Sequence, residues 1–222
     1  MNNKVIIFDC DGTILDTFQL IEACTIETFR TVLPHINITR KQVHAFFGPL
    51  LNDSFKKYTR NEIELKNCID TYRRLTMELH PKYVKAYPGI KELIHHLKQK
   101  GFKLAMVSNK VSEAIIYGLF LNDLEKEFDL IIGAEKMIQP KPSPDGIYQV
   151  LNHFNVSKTL LVGDTKYDIE CGKNANQGLY HVKTVGVTWC KATKEDFRRW
   201  GADYIIDNPQ MLEEIVEEFY DL

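Results

Sequence analysis

Val5-Ile6-Ile7-Phe8 runs without a break into Asp9-Cys10-Asp11-Gly12-Thr13. This junction constrains the fold more than any other stretch of the chain. A short continuous apolar run closed by turn residues predicts a strand buried on both faces, as in a parallel sheet covered by helices. Side chains alternate along a strand, so extended backbone puts Asp9 and Asp11 on one side and Cys10 on the other. Carboxylates this close raise each other's pKa or require a cation. Packing alone gives no reason for such a pair.

The remaining sequence is of two kinds. From Thr17 to about Tyr83 apolar residues recur at helical spacing, with no buried-strand run. Ile21, Cys24, Phe29 and Val32 predict a helix that Pro34 stops; Thr39 caps a second, through Val43 and Phe46, which Gly48-Pro49 interrupts. Helices over 51–58 and 62–79 follow, the last ending before Pro81. Ile14 to Asp16 reads as the hinge into this insert.

From Pro88-Gly89 onward helices and short apolar runs alternate. A helix over 90–97 ends at Gly101, in the left-handed position, and strand 103–107 leads into a helical stripe of Val111, Ile115 and Leu119. Strand 130–132 precedes a helix over 144–151, with Ser143 as N-cap and Pro144 at its first position. Strands at 159–162, 184–187 and 204–206 and helices at 168–174 and 211–219 complete the chain. The predicted architecture is α/β: a doubly wound parallel sheet from residues 1–15 and 85–222, interrupted by an all-helical insert over 16–84.

The 222 residues suffice for one such unit with a smaller one inserted, and a net charge of -2 without a basic stripe argues against nucleic-acid partners. Five dispersed cysteines without a Cys-x-x-Cys pair, and no apolar run of membrane-spanning length, predict a cytoplasmic protein with no membrane partner. A monomer or homodimer is expected, with no residue pattern that selects between them. No Gly-x-Gly-x-x-Gly or Walker A loop follows the first strand. His95-His96 on a helix's exposed side has no partner cluster, Trp189 and Trp200 read as packing residues, and Cys10 between two acids is a poor thiolate.

The polar residues fall where such a sheet binds ligands, outside the carboxyl ends of its strands. Asp9 and Asp11 follow the first strand, Ser108-Asn109 the second, and Gly163-Asp164 the strand at 159–162, with Asp168 four residues on. Lys141, between two prolines, leads into the helix at 144–151. Singly, each is an ordinary strand-end turn, helix start or surface lysine. Together, and in this order, they fit phosphoryl transfer. One carboxylate can attack phosphorus, and a second can protonate the leaving oxygen and then activate water. Mg²⁺ needs few protein oxygens, and Asp9, Asp164 and Asp168 supply them together with the Cys10 carbonyl. Gly12 permits close backbone approach to phosphate, while Thr13, Ser108 and the amides after Asn109 offer donors. Lys141 offsets the negative charge and fixes the nucleophile.

These residues resemble the haloacid dehalogenase superfamily of phosphohydrolases, over essentially the whole chain. Phe8-Asp9-Cys10-Asp11-Gly12-Thr13 matches its first motif and Ser108-Asn109 its second. Lys141-Pro142-Ser143-Pro144 matches the third, and Gly163-Asp164-Thr165-Lys166-Tyr167-Asp168 the fourth. The resemblance implies Asp9 as nucleophile, Asp11 as acid/base, Asp164 as Mg²⁺ ligand and Asp168 in or beside the coordination shell. The metal set is thus Asp9, Cys10, Asp11, Asp164 and Asp168. Asp11 implies a phosphatase or mutase, since dehalogenases and P-type pumps lack it.

The insert resembles the family's small helical cap. Leu15-Asp16-Thr17, Leu20-Ile21 and Phe47-Gly48-Pro49-Leu50 with Phe55 are similar to the phosphoglycolate phosphatase and bacterial pyrophosphatase subgroup. Gly48-Pro49 is then the turn that enters the site, and a small phosphorylated metabolite, phosphoglycolate or diphosphate, the expected substrate. One departure from relatives is the longer stretch from Asn176 to His181. Two other readings use similar groups. A phosphomutase would need a further acid/base in the cap, and a receiver-type signalling domain carries its phosphorylated Asp on a central strand without a cap.

Overall fold

A computed structural model describes residues 4–176 and 179–221. Strand β1 (Val5–Phe8) leads through the acidic loop to β2 (Leu15–Asp16), helices α1 (Phe18–Val32), α2 (Arg40–His44), α3 (Leu51–Lys56) and α4 (Glu62–Tyr83), and returns through β3 (Lys85–Ala86). There follow α5 (Ile90–Gln99), β4 (Lys103–Val107), α6 (Ser112–Phe120), β5 (Leu130–Ile132), α7 (Asp145–Phe154), β6 (Lys158–Gly163), α8 (Lys166–Ala175), β7 (His181–Val187), α9 (Lys194–Trp200), β8 (Tyr204–Ile206) and α10 (Met211–Tyr220).

Six strands form a parallel sheet in the order β5-β4-β1-β6-β7-β8. The strand that opens the chain is therefore central, with Phe8 paired to Met106 on one side and Val162 on the other. Its side chains alternate between the two faces: Ile6 and Phe8 pack with α5, α6 and α10, while Val5 and Ile7 pack with α7 and α8. Both faces are apolar because both are covered, so the strand reads as a continuous run and not as an alternation. The doubly wound parallel sheet expected from the sequence is the observed one.

The insert has its own core. Phe29, Phe46 and Phe55 are buried with Leu65 and Cys68, and their rings meet at centroid distances of 4.9–6.0 Å. Offset and edge-on ring pairs of this kind add to simple area burial. The antiparallel pair β2–β3, with Leu15 opposite Ala86, closes the two crossings between insert and sheet.

Element ends differ from the sequence expectations in a few places. Helix α4 continues through Pro81 to Tyr83, because the proline lies in the last turn and the Val84 amide still reaches the His80 carbonyl at 3.0 Å. Helix α7 starts one residue late, with Pro144 as N-cap, and Ser143 Oγ accepts the Asp145 amide at 3.4 Å. Strand β7 begins at His181, and α9, whose Thr193–Asp196 capping box satisfies its first amides, has no counterpart in the periodicity reading. In the stretch from Asn176 to His181, residues 177 and 178 lie outside the described residues; Asn176 clasps both backbone groups of Val182.

Ile7 is fully buried in the central strand, whereas Ile63 is 75% exposed on α4. Ile7→Ala is expected to cost about 2–5 kcal/mol of stability and Ile63→Ala less than about 0.5 kcal/mol. The shift in urea midpoint at constant m-value measures both.

Candidate active site

The rim formed by the carboxyl ends of β1, β4 and β6 gathers the acids. Asp9 follows β1 directly and stays in register, its amide donating to the Val162 carbonyl at 2.9 Å. Lys141 Nζ donates to Asp9 Oδ1 at 2.7 Å and to Asp168 Oδ1 at 2.5 Å, with 4% of the lysine exposed. Burial alone would lower the pKa of this lysine; Asp168 and Asp9 outweigh that and raise it.

One carboxylate oxygen from each of Asp9, Asp164 and Asp168 lies within 4.8 Å of the others, and all three residues are buried. Burial pushes Asp9 up to about 6, against the opposing pull of Lys141, and pushes Asp164 well above the ordinary carboxylate range, with the charges of Asp168 and Asp9 adding to it. Three buried acids facing one buried lysine leave an excess of negative charge. All-oxygen donors in this arrangement fit a hard divalent cation such as Mg²⁺. Asp168 is the most occupied of the three: its Oδ2 also accepts the Thr165 amide at 3.0 Å and the Thr165 hydroxyl at 2.7 Å.

Asp11 has a different environment. Its Oδ1 accepts Lys110 Nζ at 2.8 Å, and it stands outside the three-acid cluster. Its side chain is therefore tied to a cation of its own and is not one of the grouped metal donors. The Cys10 carbonyl, expected as a metal ligand, is engaged within its own loop. It turns into the loop and accepts the amides of Thr13, Ile14 and Leu15 at 3.0–3.4 Å, which uses both lone pairs. The Cys10 thiol packs in the apolar core, where burial and the Asp11 charge raise its pKa well above the ordinary value.

The residues expected around phosphate divide into two groups. Gly12 has φ +79°, and a Cβ there would lie 2.2 Å from Asp164 Oδ2, so only glycine lets the loop pass this close to the acid. Ser108 follows β4 at the floor of the cleft and is buried. Thr13 and Asn109 are committed elsewhere. The Thr13 hydroxyl donates to Asp164 Oδ1 at 3.3 Å, and its carbonyl accepts Trp189 Nε1 at 3.1 Å. Asn109 Nδ2 donates to the carbonyls of Gly48 and Lys141 at 2.9 and 3.2 Å, and its Oδ1 accepts the Lys141 amide at 2.9 Å. Asn109 thus aligns Lys141 and draws in the Gly48-Pro49 turn, which lines the cleft beside Asp9.

Sequence reading missed Lys110, Thr165 and the stretch Trp189-Cys190-Lys191. The last follows the carboxyl end of β7, so the rim rule that located the other residues would have located it too. Burial and the neighbouring Asp164 push the Cys190 thiol up to about 12. Lys110 gives no signal beyond following Ser108-Asn109, because the side chain it neutralises is 99 positions away.

A central parallel sheet with a buried lysine–carboxylate cluster at its rim and a helical insert above defines a class of α/β hydrolytic enzymes. The haloacid dehalogenase-like hydrolase profile matches residues 6–182. Among curated relatives, the pyrophosphatase PpaX of Halalkalibacterium halodurans is 34% identical over 218 residues, 97% of this chain and 98% of the relative. PpaX of Listeria monocytogenes is 31% identical over 222 residues, covering 98% and 99% of the two chains. Among solved structures, a predicted phosphoglycolate phosphatase from Haemophilus somnus superimposes with a TM-score of 0.83 at 21% identity, over 97% of this chain and 98% of the other. A hydrolase from Pseudomonas syringae superimposes with a TM-score of 0.83 at 18% identity, over 97% and 98%. The chain belongs to the haloacid dehalogenase-like hydrolase family and is a hydrolase of the phosphatase type. No helix among the described residues is long and apolar enough to cross a membrane.

The Gly12 contact generates a direct test. Gly12→Ala is expected to lower kcat by about 10²-fold, as displacement of an aligned catalytic group does. Circular dichroism and melting temperature check that the fold is retained while phosphate release is measured.

Proposed function

We propose that the chain is a Mg²⁺-dependent phosphatase that hydrolyses a small phosphorylated metabolite, a phosphoglycolate-like monoester or inorganic diphosphate, through a phosphoryl group carried on Asp9. The supporting observation is the division of labour between two carboxylates on one cleft floor: Lys141 holds Asp9 and Lys110 holds Asp11. The PpaX relatives and the neighbour described as a predicted phosphoglycolate phosphatase support these two candidate substrates.

The Asp9 oxygen not held by Lys141 attacks phosphorus, and the bond to the leaving oxygen breaks as Asp11 delivers a proton to it. Asp11 then removes a proton from water, which attacks the acyl phosphate, frees inorganic phosphate and restores the Asp9 carboxylate. Lys141 keeps Asp9 aligned throughout, and the buried Ser108 stands beside the phosphoryl oxygens. Asp9, Asp164 and Asp168 would hold Mg²⁺, which when bound would supply positive charge to offset the phosphoryl group's negative charge. The reading implies a cytoplasmic monomer or homodimer whose partner is its small substrate.

Asp9→Asn removes the nucleophilic oxygen at nearly constant volume and is expected to lower phosphate release by about 10⁴-fold or more. Retention of most activity would exclude the covalent route. Asp11→Asn is expected to lower kcat by about 10²–10⁴-fold. Chelation of divalent ions should abolish turnover and added Mg²⁺ restore it; activity indifferent to chelator would exclude the metal. Isomerised sugar phosphate without free phosphate would assign a mutase instead. A stable phosphoprotein without turnover would assign a receiver-type domain.

A further inference from the structure

The cleft continues upward from the acids into the insert as a cavity of about 390 Å³. A space of this size accommodates an organic ligand of many atoms, not only two phosphoryl groups. Its upper walls are mostly apolar, with Leu20, Leu51, Ile69 and Met77 from the insert and Val111 and Ala114 from the start of α6, interrupted by the neutral polar side chains of Asn52 and Thr76 and by Glu113. Three cations line the cavity, and two are already neutralised, Lys110 by Asp11 and Lys141 by Asp9 and Asp168. Among the described residues that the insert contributes to the cavity lining, Arg73 is the single cation, and it is exposed.

When diphosphate is cleaved at Asp9, the leaving group is a second phosphate, multiply charged and strongly hydrated. Placed above the acids it would face mostly apolar walls, the neutral Asn52 and Thr76, the like-charged Glu113 and one solvated guanidinium, and burying an ion there is costly without cationic partners. An alkyl or aryl leaving group gains from the same walls. We infer that the preferred substrate is an organic phosphomonoester whose leaving alcohol carries an apolar body of several carbons, in preference to diphosphate. This rests on the phosphatase reading above and narrows its substrate class.

The test uses the purified protein with Mg²⁺ and a series of n-alkyl phosphates from methyl to hexyl. Their leaving alcohols are nearly equal in acidity, so chain length changes burial and little else. The expected kcat/KM rises about fourfold per methylene over the first few carbons, the factor for moving one CH₂ out of water. Hexyl phosphate then exceeds diphosphate. Met77→Trp fills the upper cavity from α4 and is expected to reduce the gain to less than about twofold per methylene. Calorimetric binding of hexylphosphonate against methylphosphonate reads the same preference without turnover. A flat series, equal phosphonate affinities, an unchanged slope in Met77→Trp, or diphosphate hydrolysed faster than every ester would overturn the inference and leave the phosphatase reading standing. Absence of phosphate release from every compound would remove the phosphatase reading, and this inference with it.

Discussion

The site depends on one buried ammonium group. Lys141 Nζ lies between Asp9, just past the first strand, and Asp168 of α8, which the chain separates by 132 and 27 positions from the lysine. Dehydrating three charges is expensive, and a buried ion pair is seldom a net source of stability over an apolar replacement. Once formed, however, it is costly to break from one side, because two carboxylates would be left buried without their cation. The lysine therefore fixes the relative positions of β1, the loop before α7 and α8, even though the rest of the sheet could fold around apolar residues there.

Around that contact a small set of hydrogen bonds ties the insert to the sheet. Asn109 holds the backbone of Lys141 and the carbonyl of Gly48 with a single carboxamide. On the opposite side of the cleft, Trp189 holds the Thr13 carbonyl, and Lys191 sits 3.6 Å from the centroid of the Phe18 ring and 4.5 Å from that of Phe47. A cation over aromatic faces is a moderate attraction that needs no buried counter-ion. Catalytic floor and cleft roof are thus joined by the residues that flank the acids, so the enclosed space and the alignment of Asp9 depend on the same loops.

Much of this was legible in the chain. Unbroken apolar runs marked buried parallel strands, since both faces of the sheet are covered, and polar residues just past those runs marked the rim. The spacing of Ile21, Cys24, Phe29 and Val32 located α1, and Thr39 located the start of α2 through its reciprocal bond with Gln42. Less legible were features set by partners far away in sequence. Proline at 81 reads as a helix stop, yet it falls in a terminal turn that the rest of α4 and the β2–β3 pair hold in place. Thr13 reads as a phosphate donor because its hydroxyl can donate, and Asn109 because of the amides that follow it; in the fold the Thr13 hydroxyl donates to Asp164 and the Asn109 carboxamide binds Gly48 and Lys141.

The sequence by itself determined the class of fold, the insert between the first strand and the rest, and the identity of the acids and the lysine at the rim. Local patterns suffice for these, because burial and turn chemistry act over a few residues. Tertiary structure alone decided which acid meets which cation. Asp11 joins Lys110 instead of the metal-type cluster, and the Cys10 carbonyl closes its own loop instead of facing the cleft. It also decided that the space above the acids is large and apolar. Such pairings depend on distances of a few ångströms between groups that can lie 176 positions apart, as Thr13 and Trp189 do, and no local pattern encodes them.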